Sequence, residues 1–282
     1  MQCETASAGG DFLIGRLLMV GGDQRMLELE KLLQKDGYAV DTLGLHAGDE
    51  ATAQPEKADA ALFPYPFAVR RDCVPALNGL TIHPADVLRR LRPGVPVLAG
   101  RGIEICADHP VKRYEDVESL LDQNAALSAE AAVCETMQRT PKALMDMTAL
   151  VVGYGRFGRA LAQRLRALGA EVWAAARRTE MRRLAASEGM QPVTLTNMDA
   201  ALRKADIVLN TVPAQVLTED KLRLLSPGVP LLELASAPYG FDRDVAVALG
   251  HPCEVLPALP ARYAPHSAAL ALRQAAIRLL EE

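Results

Sequence analysis

Aromatic residues make up only 4% of the sequence, too few for the stacking platforms on which single-stranded nucleic acid is held. No lysine or arginine run forms a basic footprint, and the formal net charge is −4, so no nucleic-acid partner is expected. The five cysteines, Cys3, Cys73, Cys106, Cys134 and Cys253, lie far apart with no C-x-x-C pair. Such a scattered, odd set excludes a disulfide frame and reads as the reduced thiols of a cytosolic protein. No window approaches the ~20 apolar residues of a membrane span. Met1–Asp11 lacks a basic n-region and Arg16 interrupts the apolar stretch behind it, so no signal peptide is read and the expected location is cytoplasmic. No His/Cys/Asp cluster has metal-ligand spacing, so no metal is expected.

What is present is ample apolar material, 50% of 282 residues, enough for two buried cores at roughly 100–200 residues per domain. Residues 1–13 read as a loose tail. Behind them, short apolar runs alternate with amphipathic stretches: Leu17–Val20, then Met26, Leu29, Leu32 and Leu33 at helical spacing up to Gly37, then strands at 38–42, 58–63 and 95–99 around a helix at 84–91. Ser119–Arg139 reads as one long helix free of Gly and Pro until Pro141. A second series follows, with strands at 149–152, 171–175, 207–210, 231–235 and 254–256, helices at 156–168, 180–188 and 218–225, and a last helix at 267–280. Alternation of this kind implies parallel βαβ units. The expected fold is two doubly wound, parallel-sheet, Rossmann-like α/β domains with a cleft between them. Their expected limits are 1–123 for a substrate or partner domain and 124–264 for a nucleotide domain with its connector at 124–146. Residues 265–282 then form a helix returning to the first domain.

The sharpest motif is Val151-Val152-Gly153-Tyr154-Gly155-Arg156-Phe157-Gly158, a G-x-G-x-x-G between a buried strand and a helix. Gly153 permits the tight turn, Gly155 lets the backbone approach a pyrophosphate, and Gly158 lets helix and strand pack closely, with the helix N-terminus facing the phosphates. An enzyme using NAD usually carries Asp or Glu about 20 residues further on, bonded to the ribose 2′-hydroxyl. Here that strand ends in Ala174-Ala175-Ala176-Arg177-Arg178-Thr179. The acid is missing and two guanidiniums suit a 2′-phosphate, so NADP is the expected cofactor. Thr211, Val212 and Pro213 end the next strand at the crevice edge, and Ala235 and Ser236 end the one after, expected near the nicotinamide.

These residues together resemble the family formed by the A subunit of dipicolinate synthase in spore-forming bacteria, over roughly 17–280. The resemblance is carried by Val20-Gly21-Gly22-Asp23-x-Arg25, by Asn124, Ser128 and Glu130, and by the dinucleotide loop with Ala176-Arg177. Asn210-Thr211-Val212-Pro213, Leu234-Ala235-Ser236-x-Pro238-x-Gly240, and Leu259-Pro260 with Ala264-Pro265 extend it. It implies NADP-dependent oxidation of a dihydrodipicolinate-type precursor to dipicolinate during sporulation, alongside a flavoprotein-like second subunit. A small dicarboxylate substrate would fall to Asp23, Arg25 and Ser128, with Arg25 gripping a carboxylate by its fork. Three departures bear on the substrate: Ala131 stands for a family Gly, Asp146-Met147-Thr148 for a His-Gly, and the 258–266 turn has lost glycines and gained His266.

For the proton that accompanies hydride transfer, His266 at a helix start, Glu130 on the long helix and Ser236 are the candidates. His46, His83, His109 and His251 read as structural. Two other functions stay open: a 2-hydroxyacid-type dehydrogenase on the same architecture, and a catalytically silent NADP-binding protein that regulates a partner. Homo-oligomerisation is left open as well.

Overall fold

A computed structural model describes residues 15–66, 73–101 and 108–282. The tail expected at 1–13, and Cys3 and Cys106, lie outside the described residues. The chain divides into two compact units: residues up to Leu120 together with Ala269–Glu282, and Leu121–Ala268.

The first unit contains β1 (Arg16–Val20), α1 (Gln24–Lys35), β2 (Ala39–Leu43), α2 (Asp49–Thr52), β3 (Ala60–Leu62), α3 (Pro84–Arg90), β4 (Val97–Ala99) and β5 (Val111–Arg113). Its strands form one parallel sheet in the order β2-β1-β3-β4-β5, the flavodoxin-like form of the doubly wound plan. Leu17–Val20 of β1 is completely buried. An unbroken apolar run of this kind marks a strand covered on both faces.

Helix α4 (Glu118–Arg139) leads into the second unit. There follow β6 (Thr148–Val152), α5 (Arg156–Ala167), β7 (Glu171–Ala175), α6 (Thr179–Ser187), β8 (Gln191–Val193), α7 (Asp199–Lys204), β9 (Ile207–Asn210), α8 (Glu219–Leu222), β10 (Leu231–Glu233), α9 (Arg243–Ala248), β11 (Cys253–Val255) and α10 (Leu259–Tyr263). Helix α11 (Pro265–Glu281) returns the chain to the first unit. The second sheet is also wholly parallel, ordered β8-β7-β6-β9-β10-β11, which is the dinucleotide-binding arrangement with its switch point between β6 and β9. Alternate residues feed two cores. Ala149, Val151, Ala174, Ile207 and Leu209 pack with α4, α5 and α6. Leu150, Val152, Ala175, Val208 and Leu231 pack with α7, α8 and α9. Period-two alternation thus buries both faces.

Some limits differ from those read from the sequence. The first unit gives way to the second after Leu120 rather than after residue 123, and residues 265–268 lie with the second unit. The long helix ends at Arg139 as read, where Pro141 supplies no N–H and restricts Thr140, so the connector limit of 146 lies beyond the helix. A single 3-10 turn covers Leu144–Asp146. The helix expected at 218–225 is only the four residues of α8. Strands β5 and β8 and helices α7 and α9 were not anticipated. Among the described residues no helix is long and apolar enough to cross a membrane.

Candidate nucleotide site

The carboxyl end of β6 turns sharply through Gly153, whose φ is +101°. A Cβ there would stand 2.3 Å from Thr211 Oγ1, and that hydroxyl donates to Val152 O at 2.9 Å. At Gly158 a Cβ would meet Gly153 O at 2.1 Å, so helix α5 lies against the turn as closely as backbone allows. At Gly155 the space is open, with nothing within 4 Å. Gly155 is also the N-cap of α5 and supplies no side-chain acceptor, so the start of the helix is left without a side-chain cap. Between the glycines, Tyr154 is buried and its hydroxyl donates to Glu188 Oε2 at 2.6 Å. Arg159 Nε donates to Glu188 Oε1 at 2.8 Å. Desolvation and the Glu188 bond push the Tyr154 phenol above its ordinary range, and the Arg159 hydrogen bond holds the Glu188 carboxyl below its own. The glycine loop is thereby fastened to the far end of α6.

A cavity of about 580 Å³ opens over this loop. It is lined by Gly153, Tyr154, Gly155, Arg156, Phe157 and Gly158, by Arg177 and Arg178 after β7, and by Thr211, Val212 and Pro213 after β9. Ala176 joins them, and Met181, Leu195, Ala214 and Val216, which were not singled out in the sequence, complete the lining. Arg177 and Arg178 are exposed, and among the described residues neither has an ion pair. The uncapped helix, the open space at Gly155 and the two guanidiniums together fit a phosphate-bearing dinucleotide.

Two side chains outside the lining tie lining residues together: Lys221, which the sequence did not single out, and Glu233, which closes the strand expected near the nicotinamide. Lys221 Nζ donates to Leu195 O at 2.6 Å and to Val216 O at 2.9 Å, joining two lining residues, and burial lowers its pKa. Glu233, buried at the end of β10, accepts from Asn210 Nδ2 at 2.7 Å, Ala235 N at 3.0 Å and Gly240 N at 2.8 Å. Burial pushes the Glu233 carboxyl up while these three donors pull it back. Asn210 Nδ2 also donates to Val212 O at 2.9 Å, so the loops after β9 and β10 share one hydrogen-bond network. The signal in the sequence was a polar residue closing each of two apolar strands.

Other expected site residues are placed elsewhere. Ala235 and Ser236 follow Glu233 and are not among the lining residues; Ser236 is exposed. Glu130 is exposed on α4, 3.2 Å from Arg164 of α5. Ser128 is buried, and its hydroxyl donates to Asn124 O at 2.7 Å, a bond within its own helix. His266 is exposed on the first turn of α11. In the first unit Arg25 is buried and its fork is engaged by Asp23, through Nε at 2.9 Å and Nη2 at 2.6 Å. The grip expected for a ligand carboxylate is made on a neighbouring residue, because Asp23 caps α1 and lies within reach. The altered 258–266 turn forms α10, entered through Ala258 at φ +54°. Arg262 lies 3.3 Å from the buried Glu135, which also pairs with Arg139. Among the described residues no group of His, Cys, Asp or Glu is arranged to hold a metal.

Residues 117–249 match the family of D-isomer specific 2-hydroxyacid dehydrogenase NAD-binding domains. The A subunit of dipicolinate synthase from Bacillus subtilis is 25% identical, over 95% of this chain and 96% of its own length. This chain is similar to it from end to end. The crystal structure of the corresponding Bacillus halodurans protein superposes with a TM-score of 0.84 at 24% identity, covering 95% of this chain and 98% of the other. The Bacillus subtilis structure gives 0.81 at 22%, covering 96% and 97%. Like those proteins, this chain has two parallel-sheet α/β units, and its second unit, Rossmann-like, is the one that resembles the NAD-binding domain of the dehydrogenases.

Proposed function

We propose that this protein is an NADP-dependent oxidoreductase of the dipicolinate synthase type, which oxidises a dihydrodipicolinate-type precursor to dipicolinate. The observation that carries the cofactor choice is the end of β7, where Arg177 and Arg178 line the cavity and no carboxylate stands where a ribose 2′-hydroxyl would be bound. Bound NADP⁺ would supply the hydride acceptor. The chain's own part is to seat the pyrophosphate on the open N-terminus of α5 and to hold the 2′-phosphate between the two guanidiniums. It also fixes the loops after β9 and β10 through Asn210 and Glu233. His266, an exposed imidazole on the unit that carries the cavity, is the group we assign to accept the proton. The similarity to the dipicolinate synthase proteins supports a cytoplasmic enzyme working with a flavoprotein-like partner on a small dicarboxylate.

Isothermal titration of the purified chain with NADP⁺ and NAD⁺, with and without dipicolinate, tests this reading. Tighter binding of NADP⁺ than of NAD⁺, strengthened by dipicolinate, is the expected result. NADP⁺ binding that ignores dipicolinate would remove the substrate assignment, and no binding of either nucleotide would remove the cofactor assignment.

A further inference from the structure

Arg182 lies one turn into α6, and its side chain folds back over the start of the helix, the direction that helical side chains take. Its Nη1 donates to Ala176 O at 3.0 Å and to Arg177 O at 2.6 Å, and its Nη2 donates to Thr179 Oγ1 at 2.9 Å. Its backbone N–H bonds Arg178 O at 3.2 Å. One guanidinium therefore holds two consecutive carbonyls and the hydroxyl that follows them. This fixes the peptide planes from which the Arg177 and Arg178 side chains leave the backbone. The N-cap of α6 is Arg178, which gives no side-chain cap; Arg182, which can only donate, instead holds the carbonyls that precede the helix.

We infer that Arg182 is a positioning residue for the recognition of a 2′-phosphate. It acts through Arg177 and Arg178, with its own fork spent on backbone and hydroxyl oxygens. The inference rests on the NADP reading above and adds the device that makes the two exposed arginines selective. Loose arginine side chains on a mobile turn would have to be ordered when ligand arrives, and that ordering weakens binding. A turn already held in shape leaves only the side chains to settle. A flat fork is required for the arrangement, since a lysine ammonium is a point donor that does not span three acceptors set along a turn.

The test is the ratio of NADP⁺ to NAD⁺ dissociation constants in the full chain, measured by titration for wild type, Arg182→Ala, Arg182→Lys and the Arg177→Ala/Arg178→Ala pair with and without Arg182→Ala. Thermal melting runs alongside. Arg182→Ala is expected to weaken NADP⁺ about tenfold while NAD⁺ moves less than about twofold. Arg182→Lys is expected to lose most of the same selectivity although the charge is kept. In the Arg177→Ala/Arg178→Ala background, removal of Arg182 is expected to change nothing further, the signature of action through that pair. Equal weakening of both nucleotides would make Arg182 merely structural and overturn the inference. Full selectivity in Arg182→Lys, or an undiminished effect of Arg182→Ala without the pair, would also overturn it by making Arg182 a direct ligand. A wild-type chain that does not prefer NADP⁺ would remove the NADP reading first, and the inference with it.

Discussion

In the first unit the turn after β1 runs Gly21-Gly22-Asp23 into α1; in the second the turn after β6 runs Gly153-Tyr154-Gly155 into α5. Both follow the opening strand of a parallel sheet, and both use a glycine at positive φ, +58° at Gly21 and +101° at Gly153. They differ at the cap. Asp23 places its carboxylate over α1 and accepts from Arg25 N at 3.0 Å, so the helix is closed by the chain's own anion. Gly155 places nothing over α5. The first glycine is equally crowded in both, a Cβ standing 2.4 Å from Pro75 O at Gly21 and 2.3 Å from Thr211 Oγ1 at Gly153, but one at the cap Gly155 would meet nothing within 4 Å. A parallel sheet and a glycine turn are thus common to both units, while the residue at the cap decides whether the positive end of the helix is used internally or offered to a ligand.

This contrast can be broken in graded steps. Gly158→Ala should have the largest effect. Its methyl would drive into Gly153 O, costing about 3 kcal/mol in chemical denaturation and abolishing nucleotide binding. Next is Gly155→Asp, which gives α5 the closed cap of α1. Nucleotide affinity by titration should fall about a hundredfold with the fold retained. Unchanged affinity would show that the cap is not what separates the units. Asp23→Ala, the reverse operation on α1, should cost about 2 kcal/mol. It removes both the cap and the partner of the buried Arg25. Ala258→Gly should gain about 1 kcal/mol, since Ala258 sits at φ +54° where glycine is unstrained.

The smallest effects concern acid. In the first unit Arg273 bonds Asp36 at 2.5 and 2.6 Å and holds that carboxyl below its ordinary 3.8. In the second unit Arg159 does the same for Glu188, whose ordinary value is 4.5. A lowered carboxyl contributes stability that is present above the ordinary value and is lost as pH falls through the folded one. Asp36→Asn and Glu188→Gln should each flatten the acid limb of a pH–stability curve. Their losses at neutral pH should be under about 1 kcal/mol. Only Glu188→Gln should also weaken nucleotide binding, because only Glu188 is bonded to the glycine loop.

Much of this was legible in the sequence for identifiable reasons. Runs such as Leu17–Val20 and Ala149–Val152 announce strands buried on both faces, and a glycine run between a strand and a helix has few other uses. The missed strands were of another kind. Strand β8 carries Pro192 and β5 follows Pro110, and a proline argues against a strand except at an edge. Both are edge strands here. Helices α7 and α9 are too short for periodicity to show. At the site, the glycines and Arg177–Arg178 stood out because their chemistry is local. Leu195, Val216 and Lys221 did not, since each takes its place from contacts across the fold. Arg25 is a suitable side chain whose fork is engaged by an anion two residues away, a contact that its chemistry alone does not announce.

The first unit is discontinuous in the chain. Its sheet is encoded before residue 121, but the segment Ala269–Glu282 comes only after all of the second unit. That segment is tied to the rest of its unit by Arg273 on Asp36 and by Lys112 Nζ on Leu279 O at 2.5 Å. During synthesis, therefore, residues 121–268 emerge complete while the first unit still lacks a part of itself. The unit that begins first is finished last. The nucleotide-binding half has the earlier opportunity to fold, against the usual order in which N-terminal domains lead.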